Sequence, residues 1–361
     1  MNRTEAIGLV LSLCSHLRRS QAKTLSQVVP AAMEAERLSL AEVGRRLSRH
    51  TGVWAKHCIK RVDRLIGNAR IEPAEAMRGV VEWLARPRKR LLVSIDWTEF
   101  RCFPCLVLAV RLRGRALPLL WTVYRDGQLY RSQNNLEYGL LKVLRTMVPP
   151  TTQVVILADR GFGRAEMARE CQKLSFDYIL RIRPDVHVKH PDFTGKLLDL
   201  PVHPGSRRML RNALYRKTRP VVQHVAVVWE QQQSEPWFLA TSLPGIGALR
   251  LSRVFGRRMS IEEYFRDAKS KRNGWALRLT LIKSPQRLGR LLLLVAFAYL
   301  LLVMIGLYAV GHFPSGLWCS ANRSGECSFF TAGRFMQDRP LPPLIRLANQ
   351  LRREITGGNW G

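Results

Sequence analysis

Acidic residues are scarce in this chain: 27 Asp and Glu stand against 58 Lys and Arg, leaving a formal charge of +31 over 361 residues. The excess runs through the whole length, so it points to a polyanionic partner whose counterions are released on binding, with nucleic acid first and a basic membrane surface second. Cysteines are few. The seven present are an odd number without framework spacing, which argues against a disulfide scaffold and suits a reducing cytosol. Cys102 and Cys105 form a CxxC, but no second pair or nearby His completes four zinc ligands. A signal peptide is not expected, because residues 7–17 are broken by Ser12, Ser15 and His16 and no small-residue cleavage site follows. No internal repeat is evident. Disorder is excluded by the 47% hydrophobic content, enough for two or three domains with a large core.

Long uncharged runs are limited to one. Residues 291–311, LLLLVAFAYLLLVMIGLYAVG, are long enough to cross a bilayer as a helix. A fully buried helix of a large domain is also apolar all round, and a single such run favours that reading.

The first 85 residues have helical patterning. Ser39-Leu40-Ala41-Glu42 matches a capping box, Thr51-Gly52 makes a turn, and a second helix runs on to about Ile66. On it Lys56, Lys60 and Arg64 form one basic stripe opposite Ile59, Val62, Leu65 and Ile66, as in a helix-turn-helix resting on DNA or in a plain amphipathic hairpin. From Arg90 the period becomes extended: LLVSIDWTEF, CLVLAVRL and ALPLLWTVY suit an antiparallel meander. A helix, the strand VVILAD, another helix and the strand FDYILRI follow, the alternation of an α/β sheet. Short alternating runs with Pro and Gly then form a β-rich insertion, after which helices return and the chain ends in a Pro-rich, basic tail.

Three acids stand out. Asp96 lies within an otherwise apolar strand, where a carboxylate is costly unless compensated. Asp159 closes VVILAD, at the strand end where α/β folds place ligands, and Gly161 leaves backbone room beside it. Glu262 belongs to VFGRRMSIEEYFRDAK. As one helix of about 100° per residue, that segment puts Phe255, Arg258, Glu262, Arg266 and Lys269 within an arc of roughly 80°, beside an apolar arc of Ile261, Tyr264, Phe265 and Ala268. A surface salt-bridge ladder would look the same, worth a few tenths of a kcal/mol per pair. Together, however, two strand-borne Asp and one helix-borne Glu are the hard oxygen ligands that Mg²⁺ or Mn²⁺ requires, and two such ions can drive in-line displacement at a phosphodiester.

SIDWTEF, ILADRGFGR and FGRRMSIEEYFRDAK resemble the three catalytic blocks of the DDE transposases of the insertion-sequence-4 family, whose third block reads Y-x2-R-x3-E-x6-K. Phe255, Arg258, Glu262 and Lys269 keep that spacing, with Phe255 where the family has Tyr. The resemblance implies an α/β chain with an RNase H-like mixed-sheet core over 86–184 and 246–311, split by the β-rich insertion at 185–245. A helical DNA-binding region (1–85) precedes it, and a helical C-terminal region (312–361), a candidate for dimerisation, follows.

It further implies that Asp96, Asp159 and Glu262 are catalytic and hold two Mg²⁺ or Mn²⁺ ions. Arg258 and Lys269 would contact terminal phosphates, with Arg266 beside them. Trp237, in PWFLATSLP, matches a W-x-L-x-T stretch whose Trp stacks on a flipped base, although a Trp opening a strand is also a common core residue. The implied activity is cut-and-paste transposition through hairpin-ended intermediates. Its partners are double-stranded DNA, as terminal inverted repeats and target, and a second copy of the chain in a synaptic complex, in the bacterial cytoplasm near the nucleoid and without a membrane. The alternative is a non-catalytic DNA-binding regulator or domesticated transposase with vestigial acids.

Overall fold

A computed structural model describes residues 2–86, 90–112, 114–129, 133–216, 218–271, 274–319 and 327–356. The N-terminal region is helical as expected: α1 (Arg3–Leu13), α2 (Arg19–Glu34), α3 (Leu40–Thr51), α4 (Ala55–Gly67) and α5 (Pro73–Ala85). Ser39 Oγ accepts from the Glu42 amide at 3.1 Å, capping α3, and Gly52 closes it in the left-handed conformation at φ 70°. The Glu42 carboxylate accepts from the Glu36 amide at 2.8 Å, so the capping box is not reciprocal. On α4, Cys58, Val62, Leu65 and Ile66 are buried while Lys56, Lys60 and Arg64 are exposed.

The three extended runs form β1 (Arg90–Phe100), β2 (Phe103–Leu112) and β3 (Arg115–Val123), joined antiparallel. Helix α6 (Gln133–Met147) leads to β4 (Gln153–Ala158), and α7 (Ala165–Lys173) leads to β5 (Asp177–Arg181). β4 runs parallel to β1 and β5 parallel to β4, because each connection is a helical crossover. The order β3-β2-β1-β4-β5 is the RNase H-like arrangement. The β-rich segment supplies β6 (His187–His190), β7 (Phe193–Lys196), β8 (Arg207–Tyr215), β9 (Val221–Val228) and β10 (Trp237–Thr241). β10 pairs antiparallel with β5, so these strands extend the same sheet, which reads β3-β2-β1-β4-β5-β10-β9-β8-β6-β7.

The period-two alternation of β4 separates two apolar layers. Val155 and Leu157 pack with Leu251, Val254 and Phe255 of α8 (Ala248–Gly256), whereas Val154 and Ile156 join the large cluster containing α6 and α7 residues. A 3₁₀ turn, Arg257–Met259, separates α8 from α9 (Ser260–Lys269). The segment 254–269 is therefore two helices, not the single helix its periodicity suggests.

The uncharged run lies in α10 (Pro285–His312), started by Pro285 after a Ser284 cap. It is buried along nearly its whole length, against α2, α4, α5, β3, α11 (Phe329–Met336) and α12 (Leu344–Thr356). A helix enclosed on all sides presents no face to lipid, so the core reading holds. The fit against α11 depends on two glycines: a Cβ on Gly306 would sit 1.7 Å from the Phe329 carbonyl oxygen, and one on Gly333 1.9 Å from that of Leu302. The Pro-rich tail is more helical than its composition suggests, since Leu344, Leu347, Ala348 and Leu351 of α12 are buried.

Candidate active site

Register brings the first two acids together. Ile95 pairs with Ala158 on the parallel strands β1 and β4, so Asp96 and Asp159 emerge next to each other at the same end. On β1, Asp96 shares the parity of Leu92, which packs with the α8 layer, while Trp97 turns to the opposite face. Glu262 lies in the first turn of α9, which packs along β3 and reaches β1 and β2 on the face where Asp96 stands.

One side chain joins all three. Arg258, 5% exposed and carried by the 3₁₀ turn, places Nη1 3.0 Å from Asp96 Oδ2 and Nη2 2.7 Å from Glu262 Oε1 and 3.7 Å from Asp159 Oδ2. A single guanidinium thus faces three carboxylates, with formal charges of opposite sign and unequal number. Asp96 also accepts from the Trp97 amide at 2.9 Å. Burial raises the Asp96 pKa above the ordinary carboxylate value, while Arg258 and the Trp97 amide pull it back.

Cations surround the acids. Arg181, at the end of β5, stands 3.9 Å from Asp159 and 2.8 Å from Glu235, and Arg160 also pairs with Glu235. Lys269 donates to Thr98 Oγ1 at 2.6 Å, two residues beyond Asp96 on the same face, and lies over the rings of Phe100 and Phe265. Burial lowers the Lys269 pKa.

Behind the acids a second network ties the strand ends together. Glu137 of α6 is 1% exposed, accepts from Trp97 Nε1 at 2.9 Å and pairs with Arg164. Arg164 also donates to the Gly161 carbonyl at 2.7 Å, so Glu137 links the residue after Asp96 to the loop after Asp159. In that loop a Cβ on Gly163 would lie 2.1 Å from the Arg181 carbonyl oxygen, whereas Gly161 faces open space as expected.

The other expected residues are placed differently. Phe255 is 4% exposed and packs edge-on against Trp237 at 5.3 Å, because the 3₁₀ turn rotates it off the α9 face and into the α8 layer. Its ring is part of the apolar layer between α8 and the sheet. Trp237 is half-buried, with Arg181 5.6 Å from its ring centroid. Arg266 points outward and pairs with Glu263 at 3.1 Å. Lys56, Lys60 and Arg64 belong to a separate exposed face on α4, preceded by Trp54, which is 79% exposed.

The profile of the transposase DDE domain matches residues 87–301, which span the sheet, the three acids and most of α10. The chain belongs to that family. No curated protein matches the chain. The family fixes transposition as the activity class and DNA as the substrate, and its members use divalent metal ions. The donor chemistry here fits such an ion: the converging groups are carboxylates, the hard oxygen ligands that small divalent cations prefer. Among the described residues no group of three or more His, Cys, Asp or Glu side chains stands where together they could hold a metal ion. Arg258 stands between the acids instead.

Glu137, Arg181 and Thr98 join the site without having been singled out in the sequence. Glu137 sits in NNLEYG, where an acid reads as a solvated helix face, and only the fold shows that it is buried. Arg164 lies within the motif ILADRGFGR, so its proximity was legible, but its partner was not.

Proposed function

We propose that the protein is a cut-and-paste transposase of the insertion-sequence-4 type, which cleaves at the ends of its element and joins the freed 3′ hydroxyls to target DNA. The observation that carries this reading is the convergence of Asp96, Asp159 and Glu262, from two neighbouring parallel strands and a helix, on one guanidinium. Those three side chains would hold two Mg²⁺ or Mn²⁺ ions. Such ions, when bound, activate the attacking oxygen and stabilise the leaving oxygen of a phosphodiester.

The protein's own residues do the rest. Arg258 serves as counter-charge to the acids before metal enters and, once released, can meet a phosphate oxygen. Lys269, already at the strand end through Thr98, positions the backbone near Asp96. Glu137 and Arg164 hold the two acid-bearing strand ends at fixed spacing. Trp237, half-buried beside Arg181, would supply the ring on which an unstacked base stacks. Helix α4 presents Lys56, Lys60 and Arg64 to duplex DNA, the likeness to a helix-turn-helix being supported by its exposed basic stripe. Two copies would act together on paired ends, with residues 312–361 as the candidate contact, in the bacterial cytoplasm.

The test is metal-dependent nicking of DNA carrying the inverted repeats that flank the coding region. Asp96→Asn, Asp159→Asn and Glu262→Gln should each abolish nicking while leaving duplex binding in place. Nicking retained in all three would end the catalytic assignment; no nicking by the unmodified chain at its own ends would favour the regulator.

A further inference from the structure

Away from the acids, β8 and α8 enclose a groove of about 650 Å³ that carries five arginines: Arg207, Arg208, Arg250, Arg253 and Arg257. Arg250, Arg253 and Arg257 recur at i, i+3 and i+7, so they form one stripe along the helix and the turn that follows. Arg207 has an acidic partner, Glu230, at 3.0 Å. Arg250 and Arg253 are exposed and Arg208 is partly so.

More cations stand close by. Arg90, at the start of β1, and Arg111, near the end of β2, share the sheet face of Leu92. Both have a pKa lowered first by burial; Asp177 pulls that of Arg90 upward, and the positive charge of Arg250 presses on Arg90 as that of Arg257 does on Arg111. Crowding like charges costs stability unless an anion offsets it. The groove, with five arginines along one helix and one strand, therefore carries a positive field that attracts a polyanion.

We propose that this groove is a second DNA surface, which holds the sugar-phosphate backbone of a duplex without reading its sequence. Duplex DNA is the occupant because the charge complements it and because the family acts on DNA. Sequence is not read, because guanidinium contacts to phosphate position a duplex but carry no base information.

Its location gives the surface a use. Arg257 faces the groove while its neighbour Arg258 faces the acids, so the two sites meet back to back at the 3₁₀ turn. Duplex held on the groove therefore lies next to the acids, with Arg257 and Arg258 at the boundary between the two surfaces. The inference needs the family's DNA chemistry but not the catalytic assignment of Asp96, Asp159 and Glu262.

The experiment is fluorescence anisotropy of the full chain with a labelled duplex of arbitrary sequence, about 30 base pairs long, in EDTA and across about 50 to 200 mM salt. EDTA removes metal chemistry, so failure of the catalytic reading leaves this outcome untouched. The double variant Arg208→Gln/Arg253→Gln should bind more weakly at low salt, with a log–log salt slope shallower by about 2, since each phosphate contact contributes about 0.9. An unchanged slope and affinity would overturn the proposal. As a second measurement on the unmodified chain, arginine modification by a glyoxal reagent, mapped by mass spectrometry, should slow at Arg208 and Arg253 when the duplex is present. Equal rates with and without DNA would overturn it as well.

Discussion

Arg258 Nη1 lies 3.0 Å from Asp96 Oδ2 although 162 residues separate the two in the chain. The same guanidinium bonds Glu262 at 2.7 Å, so one cation restrains the carboxylates of a strand and a helix. Removing it leaves like charges facing each other in a site where Asp96 is 20% exposed and Asp159 and Glu262 are 39% and 42% exposed, at a cost of about 1 to 2 kcal/mol. Arg258→Ala should therefore lower stability in EDTA by about that amount, and Mn²⁺ should restore more of it than it adds to the unmodified chain. Denaturant titrations with and without metal measure both effects. A variant whose loss is the same in Mn²⁺ as in EDTA would remove Arg258 from competition with metal.

Glu137 and Arg164 form the bond behind the acids, and each is the other's main reason for being tolerated there. Glu137→Gln leaves the Arg164 guanidinium with a neutral partner and should cost about 2 kcal/mol. Arg164→Met in that background should cost little more, so a double-mutant cycle should return a coupling above about 1 kcal/mol. If the pair also fixes the strand ends, the Gln variant should lose nicking rate with duplex affinity unchanged. Additive single-variant costs would show that the two side chains act independently.

How much of this was legible in the sequence depends on the range of the interaction. The extended run LLVSIDWTEF and the short apolar run VVILAD gave β1 and β4, with Asp96 inside the first and Asp159 just past the second, because strand patterning is a local property. The basic stripe of α4 was likewise local. The helix carrying Glu262 was legible, but its N-terminal break was not. Residues 257–259 have no Pro, and the turn arises where α8 must lie on the sheet while α9 crosses toward β3. That break is what buries Phe255. Glu137 and Arg181 were illegible because their partners lie on distant elements.

Asp267 accepts from Arg115 Nε at 2.9 Å and from Tyr299 Oη at 2.8 Å, and burial pushes its carboxyl up to about 6 from an ordinary 3.8. The folded chain therefore binds this proton more tightly than the unfolded chain. Its contribution to stability is fullest below about pH 4 and is lost as pH rises through about 6. Relative to Asp267→Asn, which does not titrate, the unmodified chain should lose on the order of 2 kcal/mol across that window. Parallel denaturation at pH 4, 5 and 6 reads the difference; a constant gap between the two proteins would mean that Asp267 is not held protonated.

The contact between α10 and α11 supplies a test of the core itself. At Gly306 and Gly333 each helix backbone fills the space that a side chain of the other would need, and a carbonyl oxygen at 1.7 or 1.9 Å cannot turn aside as a flexible side chain would. Gly306→Ala should therefore force the helices apart and cost about 1 to 3 kcal/mol, and Gly333→Ala a similar amount. Gly311, in the last turn of α10, has nothing within 4 Å of an added Cβ. There the same change should be neutral or stabilise by up to about 1 kcal/mol, since alanine restricts the unfolded chain and favours helix. Melting temperatures of the three variants separate steric from conformational effects: gains of equal size at Gly306 and Gly311 would show that helix propensity, not the close crossing, governs α10.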